Sequence, residues 1–142
     1  MSLYATTSTA WGGRDGRTAS ADGKLDLQLS IPKELGGDGG PGTNPEQLFA
    51  TGYAACFHSA LKLIARSQGV DVKDSAVSVT VGLTGSAAEG LTLTAKIEAQ
   101  IPGIDREVAE KLLHAAHGVC PYSRATNGNI PSEVILLDDD ED

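Results

Sequence analysis

The sequence predicts a mixed fold in which one sheet of five or six strands packs with two helices. Three observations support this. Several stretches alternate apolar and polar residues with the period of a half-buried strand, two of them flank a short glycine-bounded turn, and one long segment is apolar on nearly all sides. The 142 residues suffice to bury a core without disulfide staples, and we expect a single domain over residues 1–137.

The predicted strands all follow from alternation of apolar and polar side chains. The two most regular runs lie on either side of a segment that begins at Gly85 and ends at Gly90, and together they predict an antiparallel hairpin. A third run, with leucines at every second position, predicts a separate half-buried strand. The predicted strands cover residues 25–31, 77–83 and 91–101, with weaker candidates at 4–10 and 134–137.

A glycine-rich loop over residues 36–42 is expected to separate the sheet from the first helix. Asn44 or Thr43 can cap that helix, and Pro45 suits its first position. Glu46 complements the positive end of the helix dipole, or acts as a capping-box partner of Thr43. These signals indicate a helix that starts at Pro45.

The first helix can run to about Ser67, and over residues 48–61 it is apolar enough to be a buried central helix. A second helix is predicted to start at Asp105 and to stop at Gly118, delivering Cys120 to a loop. Its predicted inward side chains are Val108, Ala109, Leu112, Leu113 and Ala116.

The net charge of −8 is concentrated at the end of the chain, where residues 138–142 supply −5 of it. We expect this run to be a solvated, disordered tail. The mildly acidic remainder gives no electrostatic reason to expect nucleic acid or an anionic membrane as a partner. Lys62 and Arg66 interrupt the most apolar segment and no signal peptide is visible, which predicts a soluble, cytoplasmic protein.

The two cysteines, Cys56 and Cys120, suggest a working thiol pair. In a reducing compartment a disulfide between such residues is usually catalytic or redox-sensing and transient. A buried thiol needs a nearby cation to ionise near neutral pH, and Arg14 or Arg17 can provide it. Each cysteine could instead be a buried spectator, and an exposed arginine in a turn often has no role.

Glu46 precedes Cys56 by ten residues, which an unbroken helix would hold roughly 15 Å apart. If both serve one site, either the helix breaks near Gly52 or Glu46 reaches a cysteine of a second subunit. We therefore predict a dimer with shared sites.

The three histidines allow a rival hypothesis, a metal site. His114, His117 and Cys120 recur every third residue and could ligate a metal together with Cys56 or His58. Closed zinc sites usually show tighter Cys/His pairs, and the helix would have to continue through Gly118. No phosphate-binding loop or dinucleotide fingerprint is present in the sequence, so nucleotide cofactors are not expected.

Five blocks of sequence, taken together and in order, resemble the organic hydroperoxide resistance branch of the OsmC/Ohr family. The resemblance runs from about Tyr4 to Leu137 and leaves the acidic tail outside. Trp11 departs from the expected smaller residue, and His58 is a second possible departure. The blocks are Gly12-Gly13-Arg14-Asp15-Gly16, Pro32-Lys33-Glu34-Leu35-Gly36-Gly37, Gly42-Thr43-Asn44-Pro45-Glu46-Gln47-Leu48-Phe49-Ala50, Gly52-Tyr53-Ala54-Ala55-Cys56-Phe57 and Val119-Cys120-Pro121-Tyr122-Ser123.

The resemblance implies an α+β fold, an intertwined homodimer with antiparallel sheets on a long central helix, and two active sites at the subunit interface. It implies reduction of organic hydroperoxides, with Cys56 as the peroxidatic cysteine and Cys120 as the resolving one. Arg14 would activate the thiolate and Glu46 would hold Arg14, which leaves Arg17 as ordinary surface.

No bound cofactor or metal is implied by the resemblance. A dithiol would act as co-substrate, expected to be dihydrolipoamide or a lipoylated protein, with thioredoxin as the alternative. Apolar side chains near the thiols would favour bulky organic or lipid peroxides over hydrogen peroxide. The sister OsmC type and a non-enzymatic redox sensor stay open as alternatives. The side chains expected to favour bulky substrates are Phe49, Tyr53, Phe57 and Tyr122.

Overall fold

The computed structural model describes residues 2–139 and divides the chain into two units, one ending at Leu48 and the other beginning at Phe49. Each unit contains a three-stranded sheet, so the described residues form two small sheets where the sequence predicted one. The combination of two sheets with helices confirms the α+β class.

The N-terminal unit is built on an antiparallel sheet in the order β1–β2–β3. A 3-10 turn, Gly13–Asp15, joins β1 to β2, and a second one, Lys33–Leu35, precedes the glycine-rich loop. The loop itself has no helix or strand, as predicted. The three strands are β1 (Ser8–Trp11), β2 (Arg17–Ser20) and β3 (Asp26–Gln28).

The sequence predicted this sheet only in outline. The strand expected over 25–31 shrinks to β3, because the chain beyond it makes a single parallel bridge between Leu29 and Thr43 instead of a ladder. The strand expected over 4–10 lies later, in β1. Strand β2 was missed because its four residues, Arg-Thr-Ala-Ser, contain no large apolar side chain to mark an alternation.

The C-terminal unit combines a second sheet with most of the helical residues. Helix α1 begins in the first unit, at the predicted Pro45, and ends at the predicted Ser67. A hairpin follows, and then two helices connect the hairpin to the last strand. The elements are α1 (Pro45–Ser67), β4 (Ala76–Ser86), β5 (Gly90–Gln100), α2 (Arg106–Val119), α3 (Pro121–Thr126) and β6 (Ser132–Leu136).

The second sheet corrects the prediction of antiparallel sheets. Strands β4 and β5 form the predicted antiparallel hairpin, with Val79 opposite Ile97. Strand β6, however, pairs with β5 in parallel, with Val134 opposite Ile97. The connection between β5 and β6 carries α2 and α3, and such a long crossover allows the chain to return in the same direction. The sheet is therefore mixed.

A cluster of buried apolar residues forms the core of the C-terminal unit. Helix α2 contributes a stripe at the spacing of one helical face, and it begins one residue after Asp105, as predicted. Val108 was wrongly expected in that stripe: it is 38% exposed, because it lies just beside the buried face. The fully buried large side chains of the cluster are Tyr53, Phe57, Leu61, Ile97, Ile101, Leu112, Leu113 and Cys120.

Helix α1 buries one face and exposes another. Its inner stripe, which includes Tyr53, Phe57 and Leu61, packs in the core, whereas Ala55, within the same predicted stretch, is exposed. The expectation of burial on nearly all sides is thus met on one side only. By length and composition α1 could cross a bilayer despite Lys62 and Arg66, and its inner stripe packs in the apolar core of the C-terminal unit.

The first two residues of the predicted acidic tail make contacts. Asp138 accepts a 2.6 Å hydrogen bond from Arg106, and a carboxylate oxygen of Asp139 accepts one from the backbone N–H of Gly103. Residues 140–142 lie outside the described residues, so disorder there stays a prediction.

Candidate active site

The two cysteines lie side by side in the C-terminal unit. Cys56 is half-buried on α1, between the inward-facing Tyr53 and Phe57, and Cys120 is fully buried. The Cys120 side chain is within hydrogen-bond reach of the Cys56 thiol, and both thiols are free. The sequence thus identified two residues, 64 positions apart, that the fold brings into contact.

Cys120 occupies a one-residue junction between α2 and α3, where the sequence predicted a loop. Its backbone N–H donates to the carbonyl of Ala116, which ends α2, and its carbonyl accepts from the N–H of Arg124 in α3. Pro121 then fills the first position of α3, where a missing N–H costs nothing. Both backbone groups of Cys120 are therefore fixed by the helices on either side.

The surroundings of Cys56 favour the thiol over the thiolate. Burial raises the pKa of Cys56, and the neighbouring Cys120 raises it further. The backbone N–H of Tyr122, in the first turn of α3, lowers this pKa by hydrogen bonding to Cys56. An activated Cys56 therefore needs a positive charge in addition to this hydrogen bond.

Aromatic packing holds α3 against α1 around the thiols. The ring centroid of Tyr122 lies 5.8 Å from that of Phe49 and 5.4 Å from that of Tyr53. The hydroxyl end of Tyr122 lies over Gly52, where an added Cβ would be 2.6 Å from the Tyr122 oxygen. Tyr53 and Phe57 are fully buried, so of the four aromatic residues expected near the thiols only Phe49 and Tyr122 keep exposed surface.

Arg14 and Glu46 form a bidentate ion pair within the N-terminal unit. The two terminal nitrogens of Arg14 donate to the two oxygens of Glu46 at 2.7 and 2.8 Å. This hydrogen-bonded pair lowers the pKa of Glu46 and raises that of Arg14. Gly12 and Gly13, both with positive φ, form the turn that presents Arg14.

The neighbouring candidates have other partners. Arg17 pairs with Asp26 and stacks 4.9 Å from the ring centre of Trp11, so both side chains belong to the surface of the first sheet. The helix cap is made by Asn44, whose side-chain oxygen accepts from the N–H of Gln47, and not by a Thr43–Glu46 box.

The histidines do not support the metal hypothesis. His58 bonds the hydroxyl of Ser75 at 2.9 Å, His114 faces Glu110, and the ring of His117 packs near Phe57. In residues 2–139 no three His, Cys, Asp or Glu side chains are placed to hold a metal ion. The Nδ1 atom of His117 is buried without a hydrogen-bond partner among these residues.

The structure therefore assembles the predicted site residues into two pairs. Cys56 meets Cys120 in one unit, and Arg14 meets Glu46 in the other. The sequence missed the residues that hold α3, namely Gly52, Ser123 and Thr126. A glycine inside a long apolar helix was the one available signal, since it often marks a close approach of another element.

An α+β fold that pairs a free thiol on α1 with a second one at the junction of α2 and α3 defines a small protein with a dithiol site. The chain belongs to the family of OsmC-like proteins, which residues 36–135 match. It is 46% identical over 135 residues to an organic hydroperoxide resistance protein of Xanthomonas axonopodis pv. citri, an alignment that covers 94% of each chain. The family resemblance inferred from the sequence is confirmed.

Solved structures agree with this assignment. An organic hydroperoxide resistance protein from Legionella pneumophila superposes with a TM-score of 0.92 at 42% identity, covering 97% of this chain and all of the other. One from Vibrio cholerae, with captopril bound in one of its active sites, gives a TM-score of 0.90 at 44% identity, covering 96% and 93%.

Proposed function

We propose that the protein is a thiol peroxidase that reduces organic hydroperoxides to alcohols as part of the response to oxidative stress. The observation that carries this is the contact between Cys56 and Cys120 in a chain whose relatives are named for organic hydroperoxide resistance. A half-buried thiol beside a fully buried one suits a reaction in which the first meets the substrate and the second traps the product.

The proposed catalytic cycle has three steps. The Cys56 thiolate attacks the peroxide and breaks the O–O bond, which leaves an alcohol, once a proton is added, and a sulfenic acid on Cys56. The Cys120 thiol then displaces the sulfenic hydroxyl as water and forms the Cys56–Cys120 disulfide. A dithiol co-substrate reduces that disulfide by two exchange steps and is itself oxidised to a cyclic disulfide.

Arg14 is the proposed activating cation, held by Glu46. Support comes from the raised pKa of Cys56, since a buried thiol beside a second thiol needs a positive charge to ionise near neutral pH. The bidentate pair with Glu46 fixes the position and orientation of the Arg14 guanidinium.

A homodimer with shared sites is part of the proposal. Helix α1 is unbroken through Gly52, which removes one of the two routes that the sequence left open for joining Glu46 to Cys56. The remaining route is a pair of sites in which Arg14 and Glu46 of one subunit serve Cys56 of the other. Helix α1 is strongly apolar, and only 28% of its most apolar 18 residues is buried within one subunit, which supports burial of its outer face against a second copy.

The substrate is proposed to be an alkyl or lipid hydroperoxide. Phe49 and Tyr122 provide the partly exposed apolar surface beside Cys56 that would favour such molecules over hydrogen peroxide. The reductant is proposed to be a dihydrolipoyl group, free or on a protein, in the cytoplasm. Because Cys120 is fully buried, we expect the dithiol to attack the Cys56 sulfur of the disulfide.

The test is turnover of cumene hydroperoxide and of hydrogen peroxide by the purified protein with dihydrolipoamide, beside the Cys56→Ser and Cys120→Ser variants. We expect faster turnover of the organic peroxide, loss of all turnover in Cys56→Ser, and a single burst without cycling in Cys120→Ser. Disulfide formation without dithiol-dependent turnover would indicate that the protein is a redox sensor and not an enzyme. Equal rates with both peroxides would contradict the proposed substrate class and favour the sister OsmC type.

A further inference from the structure

Three hydroxyl groups form a buried cluster between α1 and α3. The Tyr53 oxygen lies 2.8 Å from the Oγ of Ser123 and 3.2 Å from the Oγ1 of Thr126. Tyr53 and Ser123 are completely buried, and Thr126 is 6% exposed. We call these three residues the hydroxyl cluster. Polar groups buried to this degree are costly unless they are hydrogen-bonded, so the cluster has a definite arrangement of protons.

One hydrogen bond in the cluster fixes the direction of the others. Thr126 donates its only hydroxyl proton to the backbone carbonyl of Ser123 at 3.3 Å. Thr126 must then accept from Tyr53, and Tyr53, having used its own proton, must accept from Ser123. Each of the three hydroxyls thus donates one hydrogen bond, and Thr126 connects the cluster to the backbone of α3.

Helix α3 depends on this cluster for its position. With six residues it is far below the ~12–15 at which an isolated helix becomes marginally stable in water, so its contacts with α1 must hold it. Two anchors lie on α1. Gly52 leaves space for the ring of Tyr122, and Tyr53 binds two hydroxyls that are three residues apart on one face of α3.

Cys120 stands directly before the first residue of α3, and the backbone N–H of Tyr122 in that helix bonds Cys56. Whatever fixes α3 therefore fixes the resolving thiol relative to the peroxidatic one. We propose that Tyr53 is a positioning residue whose hydroxyl holds Cys120 ready to attack oxidised Cys56. It would act on the step in which the S–S bond forms, the S–O bond of the Cys56 sulfenic acid breaks and water leaves.

This inference rests on the proposed peroxidase function. It predicts different effects on two steps, the oxidation of Cys56 and the formation of the disulfide, whereas the peroxidase function alone predicts no such difference. Tyr53→Phe keeps the ring and its packing and removes only the hydroxyl. Because the Tyr122 N–H acts on Cys56 through its ionisation, the two proteins are compared at a pH where both carry the Cys56 thiolate. There we expect the rate of Cys56 oxidation by cumene hydroperoxide to stay within about twofold of wild type. Disulfide formation should slow about tenfold to a hundredfold, the penalty of a misplaced reacting group.

The experiment is a single turnover quenched at intervals with dimedone, which labels the sulfenic acid, followed by mass spectrometry of the Cys56 and Cys120 peptides. Tyr53→Phe should accumulate labelled Cys56, and at high peroxide its sulfinic acid. Thr126→Val should do the same, which keeps the test available if one variant fails to fold. Tyr4→Phe, at a position 80% exposed, is the matched control and should behave as wild type.

The outcomes separate the two proposals. If the variants form the disulfide as fast as wild type, or if both steps slow equally, the positioning role is overturned. If wild type does not react with organic peroxides, the proposed function fails, and diamide replaces the peroxide as the thiol oxidant. Slower Cys56–Cys120 disulfide formation in Tyr53→Phe with diamide would still support the positioning role, and an unchanged rate would overturn it.

Discussion

The guanidinium of Arg14 and the carboxylate of Glu46 meet through two parallel hydrogen bonds of 2.7 and 2.8 Å, across 32 residues of sequence. One partner is presented by a glycine turn after β1 and the other by the first turn of α1. Such a bidentate pair fixes the position and the orientation of both charged groups, because neither side chain can rotate without breaking two hydrogen bonds.

The pair should make stability depend on pH in the acid range. Arg14 holds the pKa of Glu46 below its unfolded value of about 4.3, so the stabilisation is complete above that pH and is lost as the pH falls through the folded pKa. The Arg14 side chain is 34% exposed, which limits the effect to at most about 1 kcal/mol.

Urea unfolding of wild type and Glu46→Gln at several pH values tests this. The difference in free energy of unfolding between them should be largest above about pH 5 and should shrink towards strongly acid pH, where Glu46 is protonated in both states. A difference that does not change with pH would mean that Glu46 contributes through packing and not through its charge.

The geometry of Arg14, and not only its charge, should matter for peroxide reduction. Arg14→Lys keeps the charge but cannot form the two parallel bonds to Glu46, so the rate of Cys56 oxidation should fall at least about tenfold. Arg17→Lys is the matched control, since Arg17 pairs with Asp26 on the sheet surface. Stopped-flow oxidation by cumene hydroperoxide measures both, and equal rates in Arg14→Lys and wild type would refute this role.

The sequence predicted the elements with strong periodicity and missed those that depend on distant contacts. The hairpin of β4 and β5 and the start of α1 at Pro45 were predicted well, because alternation and capping residues are local signals. Helix α3 was not predicted, since six residues after a helix stop carry no periodicity and gain their order from Tyr53 and Gly52 on α1. The parallel pairing of β6 was likewise set by a crossover that no local pattern reveals.

For the candidate site, the sequence predicted which residues belong together but not the distances between their side chains. The pairing of Arg14 with Glu46 and of Cys56 with Cys120 followed from the family resemblance, and the structure places each pair in contact. The raised pKa of Cys56 was expected from its apolar neighbours. The contribution of Cys120 to that rise depends on the distance between two side chains, which the sequence does not contain.

Removal of Cys120 should therefore make Cys56 more acidic. Cys120 raises the pKa of Cys56 after the larger effect of burial, so in Cys120→Ala the Cys56 thiolate should form at lower pH than in wild type. Alkylation of the Cys56 peptide by iodoacetamide across pH measures this. Val119→Ala, at an exposed neighbouring position, should leave the profile unchanged. A Cys56 profile that shifts to higher pH in Cys120→Ala would contradict the coupling.

Two glycine substitutions should separate helix stability from site geometry. Gly118→Ala meets no atom within 4 Å and lies in α2 without positive φ, so it should stabilise the protein by about 0.5–1 kcal/mol and keep activity. Gly52→Ala gains the same helix propensity, but its Cβ would lie 2.6 Å from the Tyr122 oxygen and must displace that ring. We expect a smaller or absent gain in Tm and at least about tenfold slower disulfide formation. Equal behaviour of the two variants would show that the Tyr122 contact is dispensable.

The strongest test of shared sites uses two inactive variants. In Cys56→Ser the Arg14–Glu46 pair is intact, and in Arg14→Ala the thiol pair is intact. If each site takes Arg14 from one subunit and Cys56 from the other, a mixed dimer contains one complete site, because a two-fold dimer repeats each contact with the roles of the subunits exchanged. Random mixing should then restore about a quarter of the wild-type sites.

Co-expression of the two variants with different affinity tags, followed by tandem purification, yields the mixed dimer for peroxide assays. We expect the mixed dimer to be more active than either parent. The unbroken helix α1 holds Glu46 roughly 15 Å along its axis from Cys56 of the same chain, so Arg14 bound to Glu46 would serve Cys56 of the other subunit. Mixed dimers as inactive as the parents would mean that Arg14 serves the thiol of its own subunit. A protein that sediments as a monomer at assay concentrations while remaining active would exclude sharing altogether.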